Sequence, residues 1–194
     1  MTTNNTAKLV TIEGDVFKRA LKAALLATSN DFSRKHLWGV CFSSKDGKLR
    51  INATNGHWLF DYVSSVECPD IGDVIIDKDS VKGMIALIGK APAVLITCED
   101  STVTLSAGGI KASYAKVDAK YPQVDQVIPT ARGAIESIGV DACLMEAISK
   151  AFRTMDDGCG AKVTRMTFLG TMDPIVFDSE KVPGLKAILM PCRL

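Results

Sequence analysis

Little in this chain points to catalysis. There are two histidines, His36 and His57, and neither forms a nucleophile or metal pattern with a nearby Cys or Asp. No Walker-type phosphate loop is present, which argues against ATP hydrolysis. Excess charge is also lacking, since 23 Lys and Arg stand against 22 Asp and Glu for a formal net charge of +1. No global field therefore draws the protein to nucleic acid or membrane, and any DNA contact has to come from local clusters of Lys and Arg. Apolar runs are strand-sized or interrupted by Lys, too short for a membrane span. The polar, uncharged start, Met1 to Thr6, lacks the features of a signal peptide, so a cytoplasmic location is expected.

Cysteine is spread rather than patterned. The six residues stand at 41, 68, 98, 143, 159 and 192 with no CxxC pair, which gives no zinc or disulfide framework. Cys41, Cys98, Cys143 and Cys192 lie in apolar runs and are expected to be buried as small reduced hydrophobes. The acidic stretch Asp156-Asp157-Gly158-Cys159-Gly160 reads as a loop between helix and strand, not a metal site. No cofactor is expected.

What is present is an apolar fraction of 47%, ample for a core, over 194 residues. One order of patterns occurs three times. Lys8 to Ile12 alternates as a strand, and Asp15 can cap a helix to about Thr28 with Phe17, Leu21, Ala24 and Leu25 on one face. Strand-like runs follow at 37–43, 48–54 and 58–63, the first two joined by the tight Lys45-Asp46-Gly47 turn. The second copy opens at Val74-Ile75-Ile76, with Asp77 or Asp79 starting a helix that carries Val81, Met84, Ile85 and Ile88. Its strands are expected at 93–98, 102–107 and 110–117. The third has a strand at Ile135 to Val140, Asp141 capping a helix with Leu144, Ile148, Ala151 and Phe152 inward, and strands at 163–169, 174–177 and 185–190. Asp15, Asp79 and Asp141 recur at a regular period, the mark of packed copies of one strand–helix–three-strand unit. Helices grouped on one face of antiparallel sheets make an α+β fold. Tyr121 to Gly133, with Pro122 and Pro129, reads as a connector.

This βαβββ unit is the building block of DNA sliding clamps, and three further stretches are similar to the bacterial family. Gly39-Val40-Cys41-Phe42 through Ala53-Thr54-Asn55-Gly56-His57-Trp58-Leu59 resembles the central domain, which has a Gly-x-x-Phe strand, a hairpin and an Ala-Thr-Asp-Gly-His-Arg-Leu segment. Tyr121-Pro122 through Val127-Ile128-Pro129 resembles the following connector. Ala187-Ile188-Leu189-Met190-Pro191-Cys192-Arg193-Leu194 resembles the family's carboxyl terminus. The chain thus looks like a shortened form of the DNA polymerase III beta subunit. Residues 1–130 match a complete clamp domain of two units, and 131–194 match half of another. Asn55 and Trp58 depart from the family's Asp and Arg.

The resemblance implies a non-enzymatic processivity factor that tethers a DNA polymerase to duplex DNA without sequence specificity. It also implies a hydrophobic groove for partner peptides at Leu37, Thr54, Gly56, His57, Trp58, Leu59, Pro122, Val127, Ile188, Met190, Pro191 and Cys192. Such a groove can bury a few anchors of an extended peptide. Helix residues Lys18, Arg19, Lys22, Lys78, Lys82, Lys150 and Arg153 would face DNA and touch phosphates without reading bases, with Glu146 diluting the third set. On residue type alone these read as a plain solvated helix surface, and only the resemblance brings the DNA-facing reading level with it. A non-encircling module that recruits or sequesters clamp-binding proteins remains the alternative. Three units leave one unpaired, which a homodimer through an isologous contact would remedy, and two dimers can close a tetrameric ring.

Overall fold

The computed structural model describes residues 8–128, 138–156 and 164–193. The first unit is β1 (Lys8–Glu13), α1 (Gly14–Leu25), β2 (Gly39–Lys45), β3 (Lys48–Thr54) and β4 (Trp58–Glu67). A second follows as β5 (Val74–Asp77), α2 (Lys78–Ile88), β6 (Ala93–Cys98), β7 (Thr102–Ala107) and β8 (Ile110–Ala115). The last part holds α3 (Ala142–Met155), β9 (Arg165–Thr167), β10 (Ile175–Asp178) and β11 (Leu185–Leu189).

The first two units exchange their opening strands. Sheet order is β1-β6-β7-β8 in one sheet and β5-β2-β3-β4-β11-β10-β9 in the other, with every pairing antiparallel. Neither unit has a complete sheet without the other. The third segment joins through β4 and β11, where Leu59 lies opposite Ile188 and Trp58 opposite Leu189. One seven-stranded sheet therefore draws on both halves of the sequence.

Helices α2 and α3 flank α1, and the three pack on the sheets. The faces read from helical spacing are the buried ones: Phe17, Leu21 and Ala24 of α1, Val81, Met84 and Ile88 of α2, and Ile148, Ala151 and Phe152 of α3. Burying each large side chain contributes roughly 1.5–3 kcal/mol. Leu25, Ile85 and Leu144 are only partly buried at the margins of this core.

Several local expectations need correction. Asp15 does not cap α1; the helix begins at Gly14, whose amide donates to the Pro92 carbonyl at 2.9 Å, and Asp15 lies in the first turn. A side chain at Gly14 would strike the Ala91 carbonyl, its Cβ only 1.9 Å from the oxygen, so the backbones there meet directly. Of the two candidates for α2, Asp77 is the cap, accepting from the amides of Asp79 and Ser80. Asp141 caps α3 as expected, accepting from Cys143 and Leu144. Leu37 belongs to a 3₁₀ turn, Lys35–Leu37, rather than to β2. The strand expected at Ile135 to Val140 is reduced, within the described residues 138–140, to one bridge between Gly139 and Cys192. The opening strands of the first two units cross into each other's sheets, and among the described residues the third unit shows no such exchange. Cys143 and Cys192 are exposed, contrary to expectation, whereas Cys41 and Cys98 are buried. Cys159, the rest of the 157–160 loop, Pro129 and Gly133 lie outside the described residues. Among the described residues no helix is long and apolar enough to cross a membrane, and no group of three His, Cys, Asp or Glu could hold a metal ion.

Candidate functional site

Strand alternation divides the seven-stranded sheet into two faces. Val40, Phe42, Ile51, Phe60 and Leu189 turn to the helices. Cys41, Leu59, Ile75, Val176 and Ile188 turn the other way and build a second, smaller core with Tyr121 and Val124. Those last two belong to the connector, whose Val124–Val127 stretch forms a 3₁₀ turn. The connector thus lies as a strap across the sheet's outer face.

A cleft opens at the end of this strap, where β3 turns into β4 and β11 ends. It is lined by His36, Leu37, Thr54, Gly56, His57, Trp58, Leu59, Pro122, Gln123, Val124, Val127, Ile188 and Met190. Its volume of about 190 Å³ exceeds the roughly 150 Å³ apolar cavity known to accept benzene. Ten of the residues expected from the sequence come together here. Pro191 and Cys192 do not line it: after Met190 the chain turns away, and Cys192 donates its amide to Gly139 at 2.9 Å. His36, Gln123 and Val124 belong to the lining and were not expected.

The rim at residues 54–58 is fixed by its own side chains. The Thr54 hydroxyl donates to the Trp58 carbonyl at 2.8 Å and accepts from the Gly56 amide at 3.1 Å. Asn55 Oδ1 accepts from the amides of His57 at 2.9 Å and Trp58 at 3.1 Å. Accepting is a task that an Asp carboxylate would perform equally well, so the departure at Asn55 preserves the local chemistry. Gly56 adopts φ +90°, a backbone conformation that favours glycine. Met190 then donates its amide to the His57 carbonyl at 3.1 Å, tying the carboxyl-terminal segment to this rim. Trp58 is 2% exposed and belongs to the helix-side core, so its ring is a wall support and not an open contact surface. Met190 and Val127 are 41% and 44% exposed, apolar groups left open at the mouth.

Beneath the other side of the strap lies charge. Arg50 forks onto Asp61, Nε to Oδ1 at 2.5 Å and Nη2 to Oδ2 at 3.0 Å, with both side chains buried. Its Nη1 donates to Asp125 of the strap at 3.0 Å, and Lys45 also reaches Asp125. The hydrogen bond from Arg50 is the chief cause that holds the Asp125 carboxyl below its ordinary range. Burial pushes up the Cys41 thiol and the Tyr121 hydroxyl. A polar cavity of about 390 Å³ adjoins Arg50, Asn52 and Tyr121. Two buried atoms at these residues, Asn52 Oδ1 and Tyr121 Oη, have no protein partner among the described residues.

The helix cations divide into two groups. Lys18 donates to the Gly89 carbonyl just beyond α2, and Arg19 is half-buried near Tyr62. Lys78 donates to Asn30, and Lys82 pairs with Asp79 at 2.7 Å. Lys22, Lys150 and Arg153 are exposed.

No protein-family model matches the chain. It is 27% identical over 129 residues to the beta sliding clamp of Synechocystis sp., covering 56% of this chain and 32% of that one. The chain thus spans about a third of that relative's length. The DNA polymerase III beta subunit of Thermotoga maritima superposes with a TM-score of 0.82 at 15% identity, over 100% of this chain and 68% of that one. The Pseudomonas aeruginosa sliding clamp gives 0.82 at 14%, over 96% and 66%. A Bartonella birtlesii clamp, solved bound to griselimycin, gives 0.76 at 14%, over 100% and 68%. The chain carries the sliding-clamp fold and resembles the bacterial DNA polymerase III beta subunit in a shortened form.

Proposed function

We propose that this protein is a clamp-like accessory factor of DNA replication, without a catalytic site of its own, that captures peptide segments of a DNA polymerase or other partners in the cleft. The supporting observation is the convergence of three separate segments on one apolar cleft: the 54–59 rim, the Pro122–Val127 strap and Ile188 with Met190. An extended peptide can bury apolar anchors there and bond to the rim backbone. Encirclement of duplex DNA by a homo-oligomer, with Lys22, Lys150 and Arg153 as the exposed cations, belongs to the same proposal. So does a division into a complete domain, 1–130, and a half domain, 131–194.

A fluorescein-labelled peptide from the clamp-binding segment of a bacterial replicative polymerase tests the cleft by anisotropy. Saturable binding that weakens more than tenfold in Met190→Asp, with an unchanged melting temperature, is expected. Equal affinity in the variant overturns the site. Retention on nicked circular DNA, lost when the circle is linearised, tests encirclement.

A non-encircling peptide module is the second reading. The observation that favours it is the commitment of Lys18 to Gly89 and of Lys82 to Asp79, which thins the basic face. Peptide binding without topological retention on circles is its expected signature.

A further inference from the structure

Three strands close a unit in this chain: β4, β8 and β11. Two of them, β4 and β11, pair with each other and carry α1 against α3 across the joint. The third, β8, ends the four-stranded sheet, and among the described residues nothing pairs with its outer edge. Its residues alternate between exposed and half-buried, and Ile110 at its start is 60% exposed. An open edge of this kind is a template for another strand.

We propose that β8 pairs antiparallel with β8 of a second copy, about a two-fold axis at Ser113. The joint already present within the chain supplies the rule, since a closing strand takes a closing strand. With β4 and β11 occupied, the only free closing strand among the described residues is β8 of another molecule. A two-fold contact between identical strands is also necessarily antiparallel, which is the sense of the β4–β11 pairing.

Backbone direction fixes the register. Lys116 donates its amide to Ser101 at 2.9 Å, on the β7 side. Amide direction alternates along an antiparallel strand, so Lys111, Ser113 and Ala115 present their N–H and C=O groups to the open edge. Placing Ser113 opposite Ser113 also sets Lys111 opposite Ala115. All three outward residues of both strands are then used, giving about six backbone hydrogen bonds at two per bonded pair. A slip of one position would bring opposite faces together, because side chains alternate with period two. In this register Lys111 meets no like charge directly. Tyr114, whose ring lies over Gly83 of α2, comes opposite Ala112 on the helix side. This contact depends on neither the peptide cleft nor DNA.

The test is a charge swap at the axis, read by light scattering and sedimentation on the full chain. Ser113→Lys and Ser113→Glu each place two like charges face to face, and each is expected to halve the assembly mass of the parent protein. Mixing the two variants in equal amounts is expected to restore that mass, because only self-pairing at residue 113 puts Lys opposite Glu. A parent protein that stays monomeric at tens of micromolar overturns the proposal. So does a mass that neither substitution changes, or one that mixing fails to restore, as a head-to-tail contact would give. Should both variants fail to fold, hydrogen exchange on the parent decides: amides 111, 113 and 115 are expected to lose protection on dilution, and concentration-independent exchange overturns the contact.

Discussion

Arg50 in β3 and Asp125 in the strap are joined by a 3.0 Å hydrogen bond across 75 residues of sequence. Through it the sheet holds the segment that walls one side of the cleft. Asp125→Asn keeps the shape but removes the charge. Because this carboxylate is largely exposed, the expected loss is small, about 0.2–1 kcal/mol. Its carboxyl titrates lower in the folded protein than in the unfolded chain. The stabilisation is therefore complete above the ordinary Asp range and disappears as pH falls through the lowered folded value. Urea melts of the parent protein and the variant should converge in acid and separate by pH 6.

The Arg50–Asp61 fork is a different case, because both side chains are about 95% buried. Arg50→Met alone leaves a buried carboxylate without its partner and is expected to cost about 3–5 kcal/mol. Adding Asp61→Leu should recover most of that loss. Denaturation midpoints of the two single variants and the double variant give the coupling directly. Additive losses would show that the fork is not the unit that matters.

At the rim, Asn55→Asp should leave stability and peptide affinity nearly unchanged, since Oδ1 still accepts from His57 and Trp58. Asn55→Ala removes the acceptor, with an expected cost of about 1 kcal/mol and a weaker peptide. Thermal melts and anisotropy on both variants distinguish the acceptor role from simple size.

Gly184 stands at φ +83°, where an added Cβ would lie 2.1 Å from the Val63 carbonyl oxygen, and its own carbonyl accepts from the Val63 amide at 2.9 Å. Gly184→Ala should therefore destabilise the β4–β11 joint by at least about 1–3 kcal/mol. It should also weaken peptide binding, because Ile188 and Met190 follow on the same strand path. An unaltered melting curve would refute this placement.

Much of the architecture was legible because two periods dominate it. Phe17, Leu21 and Ala24 recur at helical spacing, and Leu49, Ile51 and Ala53 alternate as a strand. Most of the cleft was legible through the resemblance of the 53–59 stretch and the terminal segment. Alternation alone does not foretell the burial of the outer face of β3, however. Arg50 and Asn52 occupy positions that a simple sheet gives to solvent, yet they are 4% and 2% exposed because the strap covers them. Val124, three positions before Val127, was the available sign that the strap has a buried side. Gly14 was unreadable for another reason, because its amide is satisfied by Pro92, far away in sequence, so no capping side chain is required.

The β4–β11 seam also sets when the cleft can exist. Leu59 and Ile188 meet across about 130 residues of sequence, so the loop between them must close before either contact is gained. A chain emerging from the ribosome will expose the 54–59 rim long before β11 is made. The cleft's lining is therefore complete only once β11 is in place, and if the proposed function holds, a copy still lacking β11 is expected not to retain a peptide.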